Sequence, residues 1–142
     1  MKRHPALAPL SRDHQRTLAV AQRLRRATHE TGPQAVAAFL AVWDPEERQH
    51  FRLEEEVLLP VCAVHGGPDH PVIRMVLVDH LRIRVAAERL SADTSLATLH
   101  ALGEILASHV RLEEHELFPL IEERVPEAAL CALGERLISA AA

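Results

Sequence analysis

Tyrosine is missing from these 142 residues, and three Phe and one Trp supply every aromatic ring. So few aromatics beside abundant Ala, Leu, Glu and Arg disfavour strands and favour helix. Two cysteines, Cys62 and Cys131, stand in no CxxC or comparable pattern. They do not make a disulfide framework, and both are expected as reduced, buried, small hydrophobes. Long apolar runs are lacking too; none approaches the roughly 20 residues that span a bilayer. The opening Met1-Lys2-Arg3-His4-Pro5 has no apolar signal stretch, so a cytoplasmic protein is expected, with no membrane partner. Positive charge is not in excess either. The formal net charge is −4, and nothing global points to nucleic acid. Arg23, Arg25 and Arg26 read as a solvated helix face.

What is present is helical periodicity, broken by compact Pro/Gly signals. Ser11 is expected to cap a first helix reaching about Glu30, stopped by Thr31-Gly32-Pro33. A second segment runs from Gln34 to about Val64, and Asp44-Pro45-Glu46-Glu47 predicts a kink or a restart inside it. Pro71 opens a third helix that fades near Ser91-Ala92-Asp93, and a fourth runs from about Ser95 to Arg124. Pro60 and Pro119 fall late in the second and fourth, where kinks are expected. Pro126 starts a short closing helix. Four long helices with short connections predict an all-α fold, an antiparallel up-down-up-down four-helix bundle, in one domain over residues 1–142.

Ten histidines are the one compositional excess, and four of them recur at matching positions of an internal repeat. His50-Phe-Arg-Leu-Glu-Glu-Glu-Val-Leu-Leu-Pro60 aligns with His109-Val-Arg-Leu-Glu-Glu-His-Glu-Leu-Phe-Pro119, with seven of eleven positions the same. An Asp-His pair precedes each copy, Asp13-His14 and Asp79-His80. The chain therefore reads as two helical hairpins related by an approximate two-fold axis.

On the fourth helix Leu99, Leu102, Leu106, His109, Glu113, Leu117 and Leu120 make one continuous stripe, and a stripe of Leu faces a core. On the second, Trp43, His50, Glu54, Leu58 and Val61 repeat the arrangement. Two acids and two imidazoles thus occupy positions that belong to apolar residues. Burying an unpaired carboxylate costs several kcal/mol or more. A multivalent cation removes that cost, and residues at i and i+4 can grip one centre. His14, His50, Glu54, His80, His109 and Glu113 are therefore the candidate metal ligands, with each Glu bridging two metals. Asp13 and Asp79 read either as acceptors for imidazole N–H groups or as solvated acids. The remaining histidines, His4, His29, His65, His70, His100 and His115, read as surface residues.

In these residues the chain resembles the hemerythrin-like, or HHE cation-binding, domain family. The shared pattern is Asp-His in helices one and three and H-x-x-x-E-E-x-x-L-x-P in helices two and four, covering about residues 5–125. The resemblance implies two iron ions, oxo- or hydroxo-bridged, held by the six residues above, with manganese or zinc as less favoured occupants. One departure stands out. Oxygen-carrying hemerythrins have two histidines one turn apart on the third helix, whereas Val76 and Arg84 flank His80 here. Two roughly octahedral irons offer about 12 positions, of which about two are left open by this ligand set. Glu46 or Glu47, one turn before His50, could fill one, or both could be helix-capping acids.

Three functions follow as alternatives. The first is a di-iron protein that binds, reduces or senses O2, peroxide or NO, with a small diatomic ligand or peroxide as its partner. A di-iron oxidoreductase or peroxide-decomposing enzyme falls within it, and the sequence names no redox partner protein. The second is iron storage, delivery or iron–sulphur cluster repair. The third is a metal-free helical interaction module.

Overall fold

The computed structural model describes residues 2–141. Every regular element among them is helical, in five rods. Helix α1 is Ala8–Arg25. Helix α2 covers residues 32–66, with two wide π-type turns at Trp43–Glu47 and Glu54–Leu58. Helix α3 is Pro71–Arg89, and α4 covers residues 96–124 with a wide turn at Glu113–Leu117. Helix α5 is Glu127–Ala141, at 15 residues a substantial element rather than the brief tail expected. No described helix is long and apolar enough to cross a membrane.

Local chemistry explains most boundaries. Gly67, at φ 94°, takes the left-handed conformation that closes α2. His70 is extended and its ring accepts the Val72 N–H, which starts α3 at Pro71. Ser95 accepts the Thr98 N–H and starts α4, as its position predicts. Val125, which precedes Pro126, is forced to extended geometry and ends α4.

The first helix corrects the expectation. It begins at Ala8 without a side-chain cap and ends at Arg25. Ser11 lies inside it and spends its hydroxyl on Glu114 Oε2, 2.8 Å away. Asp44-Pro45 does not restart α2. The chain passes through in a wide turn, the Arg48 N–H reaching the Trp43 carbonyl, while Asp44 pairs with Arg48. At Pro60 and Pro119 the same device recurs. The residue before each proline donates five back, Leu59 to Glu54 and Phe118 to Glu113. A proline lacks its own N–H and crowds the carbonyl four residues earlier, and the wider turn relieves both problems. The wide turns before Pro60 and Pro119 therefore each begin at a repeat glutamate, Glu54 and Glu113.

Helix α1 lies closely along α4. A Cβ on Gly103 would meet the Ala21 carbonyl at 2.7 Å and the Arg25 nitrogen at 2.9 Å, so only glycine admits this approach. Two apolar compartments result. One gathers Leu7, Leu10, Leu58, Ile73, Val76, Leu117, Phe118 and the inner face of α5 around Leu130, Leu133 and Leu137. The other gathers Ala21, Leu24, Phe39, Trp43, Phe51, Ile83, Leu99, Leu102 and Leu106. Along α1, α3 and α4 the residues between the two are His14, His80, His109 and Glu113, all buried.

Candidate metal centre

Eight polar or ionisable residues are buried among the described residues: His14, Thr17, Glu47, His50, Glu54, His80, His109 and Glu113. Six of them are the candidates read from the repeat. They converge as two groups of four, His14, His50, Glu54 and Glu113 in one, and Glu54, His80, His109 and Glu113 in the other. Within each group the ligand atoms lie within 4.8 Å of one another. Both carboxylates belong to both groups, so the geometry is that of two adjacent cation positions sharing a pair of acids.

The inward-facing atoms are short of partners. His50 Nε2, His80 Nε2, His109 Nε2, both oxygens of Glu54 and Oε2 of Glu113 are buried without a hydrogen bond. They are nevertheless close. His50 Nε2 is 3.0 Å from Glu54 Oε2, His80 Nε2 is 3.0 Å from Glu54 Oε1, and His109 Nε2 is 3.3 Å from Glu113 Oε2. Proximity without hydrogen-bond alignment means the side chains aim past one another at shared points. Each buried polar atom left unsatisfied costs roughly 1–3 kcal/mol. Metal ions held by these groups would satisfy them together, and nitrogen–oxygen sets of this kind suit iron, manganese or zinc.

The outward-facing nitrogens are fully engaged, each with a carboxylate. His14 Nδ1 is 2.5 Å from Glu114, His80 Nδ1 is 2.6 Å from Glu55, His50 Nδ1 is 3.0 Å from Asp13, and His109 Nδ1 is 3.2 Å from Asp79. A carboxylate on Nδ1 fixes the tautomer that leaves Nε2 as a metal donor and raises its basicity. The pattern obeys the repeat. An Asp before a helix-one or helix-three His serves the His of the next helix, and the second Glu of each Glu-Glu pair serves the His of a different helix.

Aromatic and guanidinium groups close the sides. Phe51 stacks on His80 at 3.9 Å between ring centroids, and Phe118 stacks on His14 at 5.5 Å. Arg84 reaches Glu55 at 2.7 Å and lies over Phe51, while Arg3 reaches Glu114 at 3.3 Å and lies over Phe118. Arg84, one turn after His80, thus binds the carboxylate behind His80.

The metal-free electrostatics are those of protons standing in for cations. Burial opposes charge on His14, but Glu113 and Glu114 overcome it and raise its pKa to about 9. The same contest, burial against Glu113 and Glu54, raises His80 to about 9. His109, with burial opposed by Glu113 and Asp79, rises to about 10. His50 also ends well above the ordinary value, burial being outweighed by Glu54 and Asp13. Burial disfavours the Glu113 carboxylate, yet His109, His14 and His80 hold it far below the usual range.

Of the two open readings for Asp13 and Asp79, the structure selects contact with imidazole. Glu55 and Glu114 were missed, although the doubled Glu-Glu of the repeat was the signal for them. Glu46 is exposed and pairs with Arg16 at 2.8 Å, whereas Glu47 is buried and bonded to Thr17. Cys62 is buried as expected, but Cys131 is exposed and its thiol donates to Glu127 at 3.4 Å. Its place on the outer face of α5 was hidden by an apolar flank, Leu130 and Ala132. His29, His65 and His115 are exposed. His4, His70 and His100 are only partly so, and each holds a structural bond, to Glu127, the Val72 N–H and the Ala27 carbonyl respectively.

A family profile described as the hemerythrin HHE cation binding domain matches residues 6–121, most of the chain and all six candidate ligands. No curated protein and no solved structure matches it.

Proposed function

Because the chain belongs to the hemerythrin HHE cation-binding domain family, we propose that it holds two iron ions and uses them to bind, reduce or sense O2, peroxide or NO. The observation that carries this reading is the sharing of Glu54 and Glu113 between two buried four-donor groups. In it His14 and His50 would hold one ion and His80 and His109 the other, with Glu54 and Glu113 within reach of both. The rods α1 to α4 form an antiparallel up-down-up-down bundle around the pair, with α5 laid against one end, and residues 1–142 make a single domain. Iron supplies redox chemistry toward small oxygen- and nitrogen-containing ligands.

The protein's own residues orient and protect. Asp13, Glu55, Asp79 and Glu114 fix the four imidazoles, and Phe51 and Phe118 keep water from the flanks of His80 and His14. Free Cys62 and Cys131 accord with the cytoplasm.

The test is elemental analysis of the purified protein together with its ultraviolet–visible spectrum and its response to O2, peroxide and NO. Two irons per chain, near-ultraviolet absorption and a spectral change on challenge are expected. Iron-free protein with a silent spectrum after anaerobic Fe(II) loading overturns the reading.

A further inference from the structure

The buried polar residues number two more than the six ligands: Thr17 and Glu47. Thr17 donates to Glu47 Oε1 at 2.6 Å. Among the described residues no Lys, Arg or His lies within ion-pair distance of Glu47, which is 3% exposed. A hydroxyl alone compensates poorly for a carboxylate taken out of water. Glu47 precedes His50 by three residues and Thr17 follows His14 by three, so the pair adjoins the cation position of His14 and His50.

The repeat shows what stands at the matching place in the other half. Superposing His50 on His109 puts Glu47 on Leu106, and superposing His14 on His80 puts Thr17 on Ile83. Leu106 and Ile83 are both buried. Elsewhere the halves balance. Each has two histidines, two outer carboxylates on Nδ1, one stacked phenylalanine and one arginine on an outer glutamate. Among the described residues Glu47 is the one buried carboxylate whose matching position in the other half is apolar.

We propose that Glu47, held in readiness by Thr17, is a further metal-binding carboxylate serving only the position of His14 and His50. The two cation positions are therefore unequal. In this structure Glu47 stands outside both four-donor groups, and its oxygen is turned to Thr17. Rotation about its own side-chain bonds would turn the carboxylate from Thr17 toward the His50 side of the site. The position of His80 and His109 has no such reserve. Its matching positions carry the hydrocarbon of Ile83 and Leu106 instead, so it has one protein donor fewer. This inference rests on the two-metal reading above.

Calorimetric titration of the metal-free protein with Co(II) tests it, with thermal melts of the metal-free forms alongside. The wild type should bind two ions in two resolved steps. Glu47→Gln should weaken the tighter step about 10- to 100-fold and leave the weaker one unchanged. Its metal-free melting temperature should stay level or rise, because no ion pair is lost and the Thr17 hydroxyl can still donate to the amide oxygen. A purely structural Glu47 predicts the reverse, a lower melting temperature with both binding steps intact. The double change Glu47→Leu with Thr17→Ile copies the packing of the second half and should abolish the difference between steps. Equal steps in the wild type, or both steps unchanged in the variants, overturn the proposal while leaving the two-metal reading standing. A wild type that binds no metal brings down both.

Discussion

His80 Nδ1 lies 2.6 Å from Glu55 Oε2, so the acid that follows Glu54 in the chain grips an imidazole on a neighbouring helix. Glu54 and Glu55 thereby divide the work. One faces the centre, and the other, a quarter exposed and tied to Arg84, braces a ligand from behind.

That division predicts the effect of Glu55→Gln. Losing the charge on Nδ1 lowers the basicity of His80 without removing a ligand. Metal affinity should fall about 10- to 100-fold with the helical content preserved, as read by chelator competition and circular dichroism. Glu114→Gln should do the same through His14. Unchanged affinity in both would show that these contacts only pack.

Stability should depend on pH in opposite senses with and without metal. His14, His80 and His109 titrate near 9, 9 and 10 in the folded metal-free chain, above the unfolded value of 6.5. Groups raised on folding stabilise fully below the unfolded pKa, and that stability is lost as pH climbs through the folded values. The metal-free protein should therefore melt progressively lower from about pH 6.5 to 10. Metal requires neutral imidazole, so binding releases protons and tightens over the same range. The gap between loaded and free melting temperatures should widen with pH, and a constant gap would contradict this account.

Gly103→Ala should destabilise the fold by about 1–3 kcal/mol through overpacking. The Arg25 side chain can move aside, but the Ala21 carbonyl and the Arg25 nitrogen are backbone and cannot without separating α1 from α4. Urea unfolding measures the loss. A cost below a few tenths of a kcal/mol would mean that the helices are not held this close.

Thiol labelling should separate the two cysteines. Cys131 is exposed and should react at once, though slowly for a free thiol because Glu127 raises its pKa. Cys62, buried and also raised by that burial, should react only on unfolding. Equal labelling rates in the native state would contradict the packing of α2.

The burial of the six inward-facing candidates, the helical class and the two-fold repeat were legible because they depend on periodicity. A His or Glu on a Leu stripe declares its burial through spacing along one helix. The starts of the fourth and closing helices near Ser95 and Pro126 were legible too, being set by local signals. The bracing role of Glu55 and Glu114 was not, because a carboxylate and the imidazole it holds lie on different helices, and pairing between helices is set by how the rods are rotated against each other. Ser11 shows the limit most simply. As a local signal it marks a helix start, yet its hydroxyl faces Glu114 from within α1.

Composition and spacing by themselves determined a helical chain with two matched sets of imidazole and carboxylate in its core. Only the tertiary structure decided that six of the buried groups converge as two sets sharing Glu54 and Glu113, that four outer acids hold the four imidazoles, and that Thr17 and Glu47 are bonded to each other. The reason is physical. Helical period fixes which face a side chain occupies, but its partners across that face are chosen by packing, where each buried charge must find an opposite or be left for a cation.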